Sequence, residues 1–345
     1  MDTTTAVPAD AESEKKHDSM APLPNSNTHT SNAPSASEAS PTKIRKPTVF
    51  RKVRRDRPDP STPVYASRSD KRVGHKCLLM RPDGRPADLK GMYRGASLFM
   101  ILGGPSLTTM PLNLLNGRGI TTMCVNNSWL MHRPNLWVGV DPPERFAYCG
   151  WRDPSILKFT PQAHATLPLR TATPDGTLTK TQTRPCDCPN TYFFVREDYF
   201  DPSTFWSSDM VQWGTLKKVA DAVGVQNSRS VMLAAFKMAG WLGFSRVFLV
   251  GADFRMSADP SISPYAWKEQ KDQQGRIANN RMYDSMNKRL QALAFQGMPM
   301  EVFNCTPNSG LLAFPHMSIE EALESFPPNC DLPSTTEGWY KKSGA

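Results

Sequence analysis

Short apolar runs that each close on glycine, asparagine, aspartate or proline constrain this chain more than any other feature. "ASLFMILGGPSL" passes from an apolar run into Gly103-Gly104-Pro105-Ser106. "GITTMCVNNSWL" ends on Asn126-Asn127, and "PNLWVGVDPPERF" ends on Asp141-Pro142. "SRVFLVGADF" ends on Gly251-Ala252-Asp253, and "MEVFNCTPNSGLL" runs into Pro307-Asn308-Ser309. Brief apolar runs bounded by turn residues read as strands buried on both faces. Interleaved with helical stretches, they predict an α/β fold, Rossmann-like, with a mostly parallel sheet and flanking helices. Ligands of such sheets sit at the carboxyl ends of the strands. The five polar ends are therefore expected to converge on one cleft.

That cleft suits a nucleotide. A glycine-rich strand end lets a ligand approach the backbone, and N–H groups at a helix start favour phosphate. Asparagine and aspartate side chains can read a base and a ribose. The stretch at Gly103 is neither the G-x-G-x-x-G fingerprint nor a P-loop, since the third glycine and the Gly-Lys-Ser/Thr are missing.

Between the strands, "SLTTMPLNLLNG" reads as a short helix or turn with Ser106 able to cap it. "SRSVMLAAFKMAGWLGF" reads as a buried helix stopping at Gly243, and Asn280–Gln296 as an amphipathic helix stopping at Gly297. "SIEEALESF" carries Ser318 and Glu321 at capping-box spacing. Residues 150–215 show weak periodicity and predict an irregular strand pair with loops. Residues 255–280 are polar and aperiodic, which fits a mobile lid.

Charge divides the chain. Of 345 residues with a formal charge of +9, the segment 43–90 carries nearly all the excess. Residues 1–42 are rich in Ser, Thr, Pro and Ala and predict a disordered polar tail. Residues 43–90 form a basic arm or linker, irregular up to an ordered start near Arg94. The catalytic domain is expected over 91–327, followed by a loose tail over 328–345. Lys43, Arg45, Lys46, Arg51, Lys52, Arg54, Arg55 and Arg57 face a single acid within 43–57. Such a run is a solvated tail or an arm for a polyanion such as nucleic acid.

Several classes are disfavoured. No run of about 18 apolar residues is present, so no membrane span is expected. The first residues lack the apolar core of a secretory signal. Seven cysteines are an odd count, and reduced thiols in a cytoplasm are expected. Cys186-Asp187-Cys188 is too tightly spaced for a zinc pair. His132 and His164 read as lone structural histidines, and Trp129, Trp137, Trp151, Trp206 and Trp213 as core. The aromatic run over 190–215 offers a second reading, an acceptor groove.

The strand ends also resemble a family. "LGGPSL" resembles the Gly-x-Gly-Pro-Ser-Leu loop of bacterial lipooligosaccharide sialyltransferases. "VNNSWL" and "GVDPPERF" are similar to that family's second and third strand ends, with Asp141 where the family has asparagine. "NSRSVMLAAFKMAGWLGFSRVFLVGADF", "SPYAWK" and "NCTPNSGLL" are similar to its serine-led helix and following strand, its lid piece and its last turn. The six pieces fall in order over about residues 95–325. The wider group includes motility-accessory glycosyltransferases of flagellin and archaeal-type hydroxymethylpterin diphosphokinases.

The resemblance implies a glycosyltransferase using a CMP- or UDP-linked sugar without a metal. Gly103, Gly104, Pro105 and Ser106 would hold the donor phosphates, and Asn126, Asn127 and Asp141 the ribose or base. Ser228 or Ser230, with Asp253, Pro307, Asn308 and Ser309, would complete the nucleotide pocket. Tyr265 would meet the donor phosphate. The family's lid histidine, its general base, has no counterpart here, because the histidines stand at 17, 29, 75, 132, 164 and 316. Asp141, Tyr283, Asp284 and His316 are the replacements considered. An acceptor in modified nucleic acid, in a bacterial or phage-infected cytoplasm, would suit the arm. An ATP- and Mg²⁺-dependent diphosphokinase and an inactive nucleotide-binding protein are the alternatives.

Overall fold

A computed structural model describes residues 77–117, 119–216, 229–267 and 271–325. The basic run at 43–57, Ser228 and the 328–345 tail lie outside them. Seven strands form one all-parallel sheet: β1 (Ser97–Ile101), β2 (Thr122–Val125), β3 (Leu136–Val138), β4 (Leu157–Pro161), β7 (Thr191–Phe194), β10 (Arg246–Val250) and β11 (Glu301–Asn304). Their spatial order is β11-β10-β1-β2-β3-β4-β7. The order reverses between β1 and β10, where a crevice opens at the strands' carboxyl ends.

Both faces of the sheet are covered, as its continuous apolar strands require. Leu98 and Met100 of β1 pack with α2 (Val231–Leu242) and α3 (Gln273–Gln296) in one core. Phe99 and Ile101 pack on the other face with Trp137 and Trp151. Helix α2 begins where Ser230 Oγ accepts the Met232 N–H and ends at Gly243, whose φ of 91° few residues but glycine adopt. The capping box forms before α4 (Ile319–Ser325): Ser318 N–H donates to Glu321 Oε2 at 2.8 Å, and Glu321 N–H to Ser318 Oγ at 3.1 Å.

Four expectations change. Order begins well before Arg94: Leu78 and Leu79 are fully buried, and Met80 exchanges backbone hydrogen bonds with Phe193 of β7 at 2.8 and 2.9 Å. The segment 150–215 is more than a strand pair. It supplies β4 and β7 to the main sheet, a hairpin of β5 (Arg170–Ala172) and β6 (Leu178–Lys180), and a parallel pair of β8 (Arg196–Phe200) and β9 (Val211–Leu216). It also holds the short helix α1 (Tyr148–Arg152). "SLTTMPLNLLNG" forms two 3₁₀ turns, Pro105–Thr108 and Leu112–Asn116, capped by Gly104 and Pro111 rather than by Ser106. The last change is in the lid, which is helical over 273–280. Asp272 caps α3 by accepting the Gly275 N–H at 2.7 Å, so the helix begins at Gln273, a full seven positions before the expected Asn280.

Candidate functional site

A cavity of about 550 Å³ opens at the carboxyl ends of β1, β2, β3 and β10. Gly103, Gly104 and Pro105 line it, with Asn126, Asn127, Asp141, Ser230, Asp253, Tyr265 and Tyr283. Four of the five polar strand ends therefore meet in one place. The fifth lies behind them: Pro307 and Asn308 are exposed, and Ser309 Oγ donates to the Ala252 carbonyl. Gly310 N–H donates to Asp253 O at 2.8 Å, so this turn props the β10 end rather than facing the cavity.

The glycines at β1 have packing causes. A Cβ on Gly104 would lie 1.7 Å from Asp253 Oδ2 and 2.6 Å from Gly251 O. One on Gly103 would lie 2.7 Å from the Trp267 ring. Asp253 clasps the loop by accepting Ser106 N–H at 3.2 Å and Ser106 Oγ–H at 2.7 Å, while Gly104 N–H donates to Gly251 O at 2.9 Å. Burial pushes the Asp253 carboxyl above its ordinary range, and the Ser106 hydrogen bonds oppose that. The Gly104 and Ser106 N–H groups are thus spent inside the fold. What the loop offers a ligand is a close approach.

The adjacent asparagines differ in the same way. Asn126 adopts φ 46° and ties β2 to β3. Its carbonyl accepts Trp137 Nε1–H at 2.8 Å, its Oδ1 accepts Val140 N–H at 3.1 Å, and its Nδ2 donates to Asp141 Oδ2 at 3.4 Å. Asn127 also lines the cavity, and its amide has no hydrogen-bond partner among the described residues.

The lid packs onto β1. Ala266 N–H donates to Gly103 O at 3.2 Å, and the Tyr265 and Trp267 rings stack 5.0 Å apart. Lys271 Nζ donates to the Tyr265 hydroxyl at 3.2 Å and Asn279 Nδ2 donates to it at 3.3 Å. Both partners are donors here, so the phenol's own hydrogen is left to turn toward a ligand. Tyr283 stands against Phe254, and burial raises its phenol well above the ordinary range. Asp284 and His316 are exposed and do not line the cavity, which leaves Asp141, ion-paired to Arg145 at 3.5 Å, as the carboxylate facing it beside Asp253.

Sequence reasoning missed the cations. Arg145, Arg196, Arg229 and Arg255 line the cavity, and His164 with them. Arg196 is the first residue of β8, and Arg229 directly precedes the cap of α2. Their guanidinium centres lie 4.6 and 5.6 Å from the Trp213 ring centroid. Only the aromatic run at 190–215 hinted at this wall. His164 is 7% exposed, and burial, with Arg196 beside it, pushes its imidazole down to about 4. It is neutral at pH 7.

Among the described residues no group of three or more His, Cys, Asp or Glu gathers to hold a metal ion, and no helix is long and apolar enough to cross a membrane. Models of known families, curated proteins and solved structures contain no match to this chain.

Proposed function

We propose that the cavity binds a nucleotide-activated sugar and that the protein transfers the sugar to an acceptor, on a Rossmann-like, sialyltransferase-like scaffold. The observation that carries this reading is the convergence of α2's first turn, the Tyr265 hydroxyl and four arginines on a cavity at the sheet's topological switch. A helix N-terminus and arginines favour phosphate. The stacked Tyr265–Trp267 pair and the unengaged Asn127 amide suit a base or sugar.

In this reading the donor phosphate lies between the first turn of α2 and Tyr265. Asp141 takes the proton from the acceptor hydroxyl as that oxygen bonds to the anomeric carbon. The bond from that carbon to the phosphate oxygen breaks, and its electron pair leaves with the phosphate. Tyr265 donates a hydrogen bond to the oxygen on which charge develops. The docked lid loop excludes the water that would hydrolyse the donor. The acceptor includes nucleic acid in this proposal, through the basic residues at 43–57.

The test is a thermal-shift panel of the full chain with CMP, UMP, UDP, GDP, ADP and ATP, each with and without Mg²⁺. A ligand of the folded state raises the melting temperature by mass action. A metal-independent shift with CMP or UDP is expected. A shift only with ATP and Mg²⁺ would replace transfer with a diphosphokinase, and no shift with any nucleotide would overturn the reading.

A further inference from the structure

Among the described residues, the carboxylates that act on Arg196 are each ion-paired to another arginine. Asp198 pairs with Arg229 at 3.3 Å and accepts Trp213 Nε1–H at 3.3 Å. Asp141 pairs with Arg145. Arg196 makes no ion pair among the described residues. Its Nη1 donates to the Val140 carbonyl at 3.3 Å, its Nη2 lies 3.5 Å from His164 Nε2, and its plane lies over Trp213. A guanidinium carries five donors, and these contacts use two of them. Burial lowers its affinity for its proton and Arg229 adds to that, while the Asp198 and Asp141 carboxylates oppose it from beyond ion-pair distance. A partly buried cation with no ion pair of its own is costly to a fold. Beside it, His164 Nδ1 is buried with no hydrogen-bond partner among the described residues.

We propose that Arg196, with Arg229 behind it, is an oxyanion-binding subsite that takes a phosphate or carboxylate group of the ligand other than the phosphate at Tyr265. The two places lie at the carboxyl ends of different strands of the sheet. Tyr265 and Trp267 pack on Gly103, just past the end of β1. Arg196 binds the carbonyl of Val140 past β3 and touches His164 past β4. Strand β2 lies between β1 and β3, so the strand ends at the two places are about 10 Å apart across two strand spacings. The natural ligand therefore carries two separated anionic groups, or the acceptor is itself acidic. The inference rests on the cavity being the ligand site of the proposed function, and it specifies the substrate class.

The experiment is calorimetric titration of the full chain at low ionic strength with inorganic phosphate, glucuronate and glucose. Wild type, Arg196→Met, Arg229→Met and Lys288→Met are compared, with melting temperatures to confirm folding. Wild type should bind phosphate or glucuronate and ignore glucose; the tighter of the two names the oxyanion. Arg196→Met should weaken that binding at least tenfold and Arg229→Met less, while Lys288→Met, an equal loss of charge at an exposed position of α3 outside the cavity, leaves it unchanged. If Arg196→Met does not fold, Arg196→Lys, which keeps the charge and loses the fork, should weaken binding instead. Unchanged anion affinity in the arginine variants, an equal loss in Lys288→Met, or no anion binding by wild type would overturn the subsite. Nucleotide titrations of the same variants separate the two proposals. Anion binding at Arg196 without nucleotide binding would leave the subsite standing and remove the transferase. Nucleotide binding without an Arg196-dependent anion would do the reverse.

Discussion

The two sides of the cavity are built on opposite principles. On the β1–β10 side the polar groups are turned inward: Asp253 holds Ser106, Gly104 N–H meets Gly251 O, and Thr306 Oγ1 accepts the Ala252 N–H at 2.7 Å. On the β3–β8 side, among the described residues, Arg196 has no ion pair while Asp141 and Asp198 pair with other arginines, and a buried imidazole nitrogen has no hydrogen-bond partner. The first side is satisfied without a ligand and fixes the shape of the crevice. The second is left incomplete, and incompleteness of this kind is where recognition is to be sought. The residues most conspicuous in sequence, Gly103 to Ser106, thus belong chiefly to the scaffold.

Substitutions break this contrast in a graded way. Gly104→Ala should destabilise by about 3 kcal/mol, because its methyl meets both the Asp253 carboxylate and the Gly251 carbonyl. Urea unfolding measures this. An effect near zero would mean that the loop is loosely held.

The next largest effect lies on the other side and depends on pH. His164 has a folded value of about 4 against an ordinary 6.5. Above pH 6.5 it is neutral in both states, and its contribution is fully present. As the pH falls toward 4 the unfolded chain takes the proton first, so stability drops, by about 2 kcal/mol after discounting for partial solvation. His164→Gln should flatten that part of the stability–pH curve.

Asp253→Asn follows, with a loss of about 1.5 kcal/mol as the charge-assisted hydrogen bonds to Ser106 weaken. Arg196→Met comes last and has the opposite sign. Removing a partly buried cation that has no ion pair among the described residues should leave the melting temperature unchanged or raise stability by up to about 1 kcal/mol. A large loss of stability there would make Arg196 a structural residue and erase the contrast.

The sequence showed the strand ends because β1, β2, β3, β10 and β11 each pair a short apolar run with a polar stop. It also showed α2, bracketed by Ser230 and Gly243, and the Ser318–Glu321 box. Other features depend on contacts that no local pattern encodes. Met80 meets Phe193 across more than a hundred residues of chain. The first turns of α3 read as polar because their buried side chain is Arg276, whose guanidinium donates to the carbonyls of Ser257 and Lys271. Arg196 sits at a strand start in an aperiodic segment, so its place in the cavity follows from the β8–β9 pairing alone. Asn126 and Asn127 look alike in sequence, and the left-handed backbone of Asn126 gives one to the scaffold and leaves the other to the cavity.

The most direct test of the transferase reading is a crystal structure with the nucleotide that gives the largest thermal shift. The account predicts its phosphate within hydrogen-bond reach of the first turn of α2 and the Tyr265 hydroxyl, its base or ribose near Asn127, and Arg196 free for a second anionic group. A nucleotide bound outside this cavity, or one whose phosphate is held by Arg196 with Tyr265 untouched, would contradict it.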